Sequence, residues 1–525
     1  MLTKNIDFKN FKSKKNTPKV RKKLKKLLQE NNEVIKSLKK TYKNSFNKKL
    51  VNKYHKNLNY RVIRMGGSIL GAQAIYDFLG KKIKKNFLFI DNLQAITKKN
   101  KDKKITNLVI SKSRNTIETI INTNLLLKKG HKNIFITENK KSYLYLLAEK
   151  LKADIVDHNN FIGGRYSVLS EVGMLPAELM GLDSSKFKNL NMLVKNKNFI
   201  NSLISNVSST LYFIKNQKFN SVIINYDEKS QNLFNWYQQL IAESLGKKKK
   251  GILPIISNMP KDNHSVMQLY LDGFKNNFFT FFYVHEKESS KLKSDVIHHN
   301  NFIGGRYSVL SEVGMLPAEL MGLSPNKFRQ LNNLIKNKRF VKNLIYNVGS
   351  TIYFLNKKKF NSIIINYDYQ SASLFNWYQQ LIAESLGKNK KGLLPIISNM
   401  PKDNHSVMQL YLDGFKNNFF TFFYVHEKEC SKLKKNIILE KMRFLKNKNI
   451  SDITFAQKKA TENIFDKKNI PFRSIEIFKR DEKTLGELFT FFILEVILLG
   501  KVLKLNPYNQ PAVEAIKKET KKILS

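Results

Sequence analysis

The chain has 525 residues, of which 42% are hydrophobic and 11% aromatic, enough for several packed units and too apolar for wholesale disorder. Lys and Arg total 93 against 41 Asp and Glu, a formal net charge of +52. That sign first suggests a polyanion partner, yet the excess is almost all Lys, spread through every segment beside abundant Asn, Ile and Phe, so compositional bias explains it better than a nucleic-acid face. The single cysteine, Cys430, forbids an intramolecular disulfide and fits a reducing, cytoplasmic setting. No secretory leader is visible, and the most apolar stretch, 485–499, carries Glu487 and Glu495 and is too short for a bilayer, so it reads as a buried helix and no membrane partner is expected.

In chain order, residues 1–58 form a basic region with helical patches such as VRKKLKKLLQE. YRVIR (from Tyr60) is a short strand, MGGSILG (from Met65) a turn, and LGAQAIYDFL a helix. NFLFID (from Asn86), TNLVISKS (from Thr106) and NIFITE (from Asn133) are further strands separated by helical segments, the pattern of a parallel sheet covered on both faces. They delimit a first domain over 59–157.

A tandem repeat follows. HNNFIGGRYSVLSEVGMLPAELMGL begins at His158 and again at His299, 141 positions later, and LFNWYQQLIAESLGK and LPIISNMPKDNHSVMQLYLDGFKNNFFTFFYVHEKE recur at the same offset. Copy one takes 158–298 and copy two 299–438, each with strands at SVIINY or SIIINY, LPIIS and FFTFFYV. A helical tail, 439–525, ends in NPYNQPAVEAIKKETKKIL. The expected fold class is α/β, in three-layer α/β/α domains with mostly parallel sheets.

Several segments have chemical potential beside a plain structural reading. Gly66 and Gly67 open a helix N-terminus to an anion, although a Gly pair also makes an ordinary strand–helix turn. Ser111, Lys112, Ser113 and Thr116 end a strand where open α/β sheets bind ligands, or simply cap the next helix. The repeated GGRYS carries Arg165 or Arg306, suited to a developing oxyanion. QQLIAESLGK carries Glu243 or Glu384, and NHSV carries His264 or His405; each alone is ordinarily structural. The histidines show no metal-ligand spacing, so no metal is expected.

In chain order, GGSILG, SKSRNT, GGRYS, QQLIAESLGK, NHSVMQL and QPAVEAIK resemble the phosphoglucose isomerase family, built from two sugar-isomerase (SIS) domains. The resemblance implies interconversion of glucose 6-phosphate and fructose 6-phosphate through an enediolate, without cofactor. It implies that Gly67 and Ser68 contact the sugar, that Ser111, Lys112, Ser113 and Thr116 hold the phosphate, and that Gln239 or Gln380 and Gln510 line the pocket. Glu243 or Glu384 would carry the proton, Arg165 or Arg306 steady the enediolate, and His264 or His405 with Lys517 open the ring. The sequence departs from the family at Pro511-Ala512, where an aromatic-Gly is usual, and at Ser113 and Asn115, where threonines are usual.

The family is homodimeric, its His arriving from the neighbouring subunit, so the two copies can be mixed within one site. Copy two, joined directly to the tail bearing Lys517, is expected to complete the site, and the other copy to leave an unpaired surface that favours aggregation or altered assembly. The rival expectations are a sugar-phosphate-binding SIS protein or pseudo-enzyme inactivated by its duplication, and, more remotely, a nucleic-acid-binding protein.

Overall fold

The computed structural model describes residues 2–3, 5–9, 11, 18–93, 105–111, 116–128, 130–139, 142–285, 303, 305–426, 444–445, 447–509 and 511–524, without the side chains of Ser68, Glu514 and Lys517. Its strands are β1 (Asn59–Ile63), β2 (Asn86–Ile90), β3 (Thr106–Ser111), β4 (Lys132–Thr137), β5 (Asp154–Asp157), β6 (Asn220–Asn225), β7 (Leu253–Asn258), β8 (Asn277–Phe282), β9 (Asn361–Asn366), β10 (Leu394–Asn399), β11 (Asn418–Val425) and β12 (Phe472–Ile477). They form three sheets, ordered β2-β1-β3-β4-β5, β7-β6-β8 and β10-β9-β11-β12. Every pairing between named strands is parallel.

The first sheet belongs to the first domain. Its central strands are buried on both faces, β3 along its whole length, which explains their near-continuous apolar runs. One face packs on the helix Glu171–Leu179 of copy one; the other meets Ile450 and Ile453 of the tail. Between β1 and β3 the strand order reverses, so the loops leaving their C-terminal ends diverge and open a crevice.

The second and third sheets are the two copies, and their apolar sides fuse. Val222, Leu253, Leu269 and Phe274 of copy one share a single core with Ile363, Leu394, Leu410 and Phe415 of copy two. The tail corrects one expectation, because it is not only helical. FRSIEI forms β12 beside β11, register Phe420↔Phe472 to Val425↔Ile477. Arg473 and Glu476 disguise this strand. Their charges are neutralised by Glu495, from the helix Glu482–Val502, and by Lys458, partners the local sequence does not reveal. That helix is the apolar stretch 485–499, and it buries Phe492, Val496 and Leu499. No helix among the described residues is long and apolar enough to cross a membrane.

Candidate active site

The crevice at the ends of β1 and β3 is one wall of a cavity of about 460 Å3. Gly66 and Gly67 follow β1 and begin the helix Gly67–Phe78. Gly66 has φ +70°, and a Cβ there would stand 2.7 Å from the Cβ of His405; a Cβ on Gly67 would stand 2.7 Å from the backbone nitrogen of Arg165. Only glycine lets the three segments approach this closely. Thr116 contributes from the N-terminus of the helix Ile117–Leu126. Arg64 also lines the cavity. It is buried, its Nη1 finds no hydrogen-bond partner among the described residues, and burial brings its pKa down to about 10.

Copy one provides the opposite wall. Glu243 lies near the end of the helix Gln231–Leu245, which Asn232 ties to Asp77 of the first domain at 2.6 Å. Its Oε2 accepts from Arg165 Nη1 at 2.8 Å and its Oε1 from Gln239 Nε2 at 2.5 Å. Arg165 Nε donates to Ser244 Oγ at 2.9 Å, and the Trp236 indole donates to the Arg165 carbonyl at 3.0 Å. The guanidinium is therefore fixed while the Arg165 and Glu243 side chains each stay 23% exposed toward the cavity. Burial opposes the charge on Arg165, but its hydrogen bonds and the facing Glu243 carboxylate outweigh burial and raise its pKa.

The third wall comes from copy two. The turn Lys402–His405 is anchored to the first domain by Lys402–Asp91 at 2.6 Å and His405–Glu118 at 3.3 Å. The His405 carbonyl accepts from Gln239 Nε2. Burial resists ionisation of Glu118, yet the hydrogen bond and charge of His405 prevail and hold that carboxyl below its ordinary value.

The equivalent groups of the other copy form a second, closed constellation. Arg306 Nη1 meets Glu384 Oε2 at 2.9 Å and Gln380 Nε2 meets Glu384 Oε1 at 3.1 Å, repeating the first arrangement. Here, however, Arg306 Nη2 donates to the tail carbonyls of Pro507 at 2.7 Å and Asn509 at 3.2 Å. The Arg306 and Glu384 side chains are 1% and 4% exposed. Burial raises the Glu384 pKa against the opposing pull of Arg306, with His264 of copy one contributing a weaker attraction.

A family model described as phosphoglucose isomerase matches residues 10–253. Glucose-6-phosphate isomerase of Mycoplasmopsis pulmonis is 31% identical over 341 residues, 62% of this chain and 74% of the relative. The chain belongs to the phosphoglucose isomerase family. Glucose-6-phosphate isomerase of Methanocaldococcus jannaschii is 38% identical over 242 residues, 42% of this chain, and there the match spans only 59% of the relative's length. Among solved structures, a glucose-6-phosphate isomerase from Chlamydia trachomatis aligns with 91% of this chain and 71% of its own at 13% identity, with a TM-score of 0.26.

Of the positions that the likeness to phosphoglucose isomerase singles out, the cavity gathers Gly67, Thr116, Arg165, Gln239, Glu243 and His405. Ser111 ends β3 at the same crevice. Lys112, Ser113 and Gln510, like Cys430, lie outside the described residues, as do the side chains of Ser68 and Lys517. Arg306, Gln380, Glu384 and His264 stand in the second constellation with the tail. Copy two was expected to complete the site; the structure places its His405 at the cavity, while the Arg and Glu beside Gly67 are those of copy one. Arg64, Glu118 and Lys247 were not singled out from the sequence. Lys247 is visible there as the last residue of ESLGK; Glu118 has no local signal, since its partner lies in copy two.

Proposed function

We propose that this cavity interconverts glucose 6-phosphate and fructose 6-phosphate through an enediolate. The observation that carries the reading is the Glu243 carboxylate, held by Arg165 and Gln239 yet open to a cavity that also presents Gly67 and Thr116. Going from aldose to ketose, Glu243 takes the C2 proton and returns it to C1 on the same face, while a hydroxyl proton moves from O2 to O1. Charge on the enediolate oxygen grows beside Arg165, whose orientation is set in advance by Ser244 and Trp236, so little reorganisation is needed as the charge develops. His405 serves ring opening, its imidazole oriented by Glu118. The phosphate lies toward the ends of β1 and β3, near Arg64 and the helix beginning after Thr116.

A dehydrogenase-coupled assay for glucose 6-phosphate formation from fructose 6-phosphate tests the reading. The expected result is turnover that Glu243→Gln lowers by about 10²–10⁴-fold, as for loss of a general base. Because the tail helix Pro511–Leu524 donates from Ala512 to copy one's Gln268, and the segment before it caps Arg306 through Pro507, a binding protein without turnover is the competing reading. Folded protein that binds fructose 6-phosphate and forms no glucose 6-phosphate would establish that alternative instead.

A further inference from the structure

We infer that the two copies form a pseudo-twofold pair within a single chain, and that the active cavity is built across this pair, Glu243 of copy one and His405 of copy two acting on the same bound sugar phosphate. The second half of this inference rests on the function proposed above. The pairing itself stands on reciprocal geometry.

Four kinds of contact between the copies recur with a mirror 141 residues away. Lys249 N donates to Asp413 O at 2.8 Å, and Lys390 N donates to Asp272 O at 2.8 Å. Gln268 Nε2 donates to the Gly387 carbonyl at 3.2 Å, and Gln409 Nε2 to the Gly246 carbonyl at 3.3 Å. Phe219 stacks on Phe415 with centroids 5.6 Å apart, as Phe274 does on Phe360 at 5.5 Å. A Cβ on Gly246 would stand 2.7 Å from Leu410 Cα, and one on Gly387 2.5 Å from Leu269 Cα. Residue i of one copy meets residue j of the other and j meets i, which defines a self-complementary, isologous interface. Its centre is the shared apolar core, not a polar rim.

The consequence for the site follows from the symmetry. Such an interface carries each copy's histidine turn across to the other copy's glutamate. On one side this places His405 at Gly66 and the Gln239–Glu243 pair; on the other, His264 approaches Glu384. The chain has one first domain, and it closes only the Glu243–His405 side. All walls of the cavity thus come from one polypeptide, and a second chain is not required to complete it.

The pairing is tested without reference to catalysis by placing cysteines at two exposed positions of the full chain, Lys249→Cys with Asp413→Cys, in a Cys430→Ser background. A short bis-maleimide should close a link within one chain, giving a compact species of monomer mass. Links formed between chains would overturn the pairing. The shared cavity is tested by co-expressing Glu243→Gln and His405→Ala chains. Each alone loses turnover, and because every cavity takes both groups from its own chain, the mixture should recover none. Recovery of about a quarter of wild-type activity would mean that the two groups meet between chains and would overturn the inference. Absence of turnover in the wild-type chain, with the intrachain link formed in the cysteine variant, would refute the proposed function and leave the pairing standing.

Discussion

Arg64 illustrates how a single residue can gain meaning from its surroundings. Next to Met65 and Gly66 it is one more cation in a chain of net charge +52. In the fold it is a buried guanidinium at the cavity, with Nη1 unpaired among the described residues. A buried donor without a partner is costly, and an anionic ligand would relieve that cost. We expect Arg64→Leu to raise KM for fructose 6-phosphate by roughly 10- to 100-fold with a smaller effect on kcat, the worth of a charge-assisted hydrogen bond. Initial-rate kinetics would check this, and an unchanged KM would remove Arg64 from the site. Gly67→Ala should act differently. Its methyl would displace the Gly164–Arg165 backbone, so both kcat and the thermal midpoint should fall, as initial rates and thermal unfolding would show.

At the scale of elements, the repeat places identical sequences in different surroundings. In copy one, EVGMLPAEL forms the helix Glu171–Leu179 beneath the first sheet, with Leu179 0% exposed; in copy two the same nonapeptide forms Glu312–Leu320, and Leu320 is 80% exposed. Leu179→Lys should therefore cost more than about 4 kcal/mol, whereas Leu320→Lys should stay within about 0.5 kcal/mol and reduce self-association. Urea unfolding and light scattering on the two variants test the contrast; equal destabilisation would contradict it. NFFTFFYV behaves likewise. As β11 it lies between β9 and β12 with Phe422 0% exposed, while β8 pairs, among the described residues, only with β6 and leaves Phe281 69% exposed. Amides of β11 should exchange with solvent at least about tenfold more slowly than those of β8, measured by peptide-resolved hydrogen exchange.

For the whole molecule, acid stability depends on carboxylates that join distant segments. Glu171 of copy one meets His158 at 3.1 Å and also accepts from Asn159 N and Tyr42 OH; Glu118 meets His405. Both carboxyls are buried, which opposes ionisation, yet those partners hold both pKa values below the ordinary 4.5. The unfolded chain consequently binds more protons on acidification. The stabilisation is complete above about pH 4.5 and is lost as pH falls through the lower folded values. Glu384 has the opposite sign, because burial raises its pKa despite Arg306, so acid relieves it. Urea midpoints measured from pH 6 to pH 3.5 should fall, and more shallowly in Glu171→Gln. An identical slope in that variant would exclude Glu171 as a source.

Much of this protein was legible locally. β1, β2, β3 and β4, and the three strands of each copy, announce themselves as short apolar runs between helical segments, because a parallel sheet buries both faces of its strands. β12 did not, since Arg473 and Glu476 break its apolar run and their partners come from other helices. The sequence by itself determined the duplication, the α/β class and the types of residue available for the chemistry. It separated the copies only by copy two's direct connection to the tail, because their GGRYS, ESLGK and NHSV motifs are identical. The tertiary structure decided between them. One first domain can close against only one copy, Gly67 abuts Arg165 and not Arg306, and the isologous pairing of the copies crosses the histidines, so Glu243 faces the cavity with His405 while Arg306 is capped by the tail.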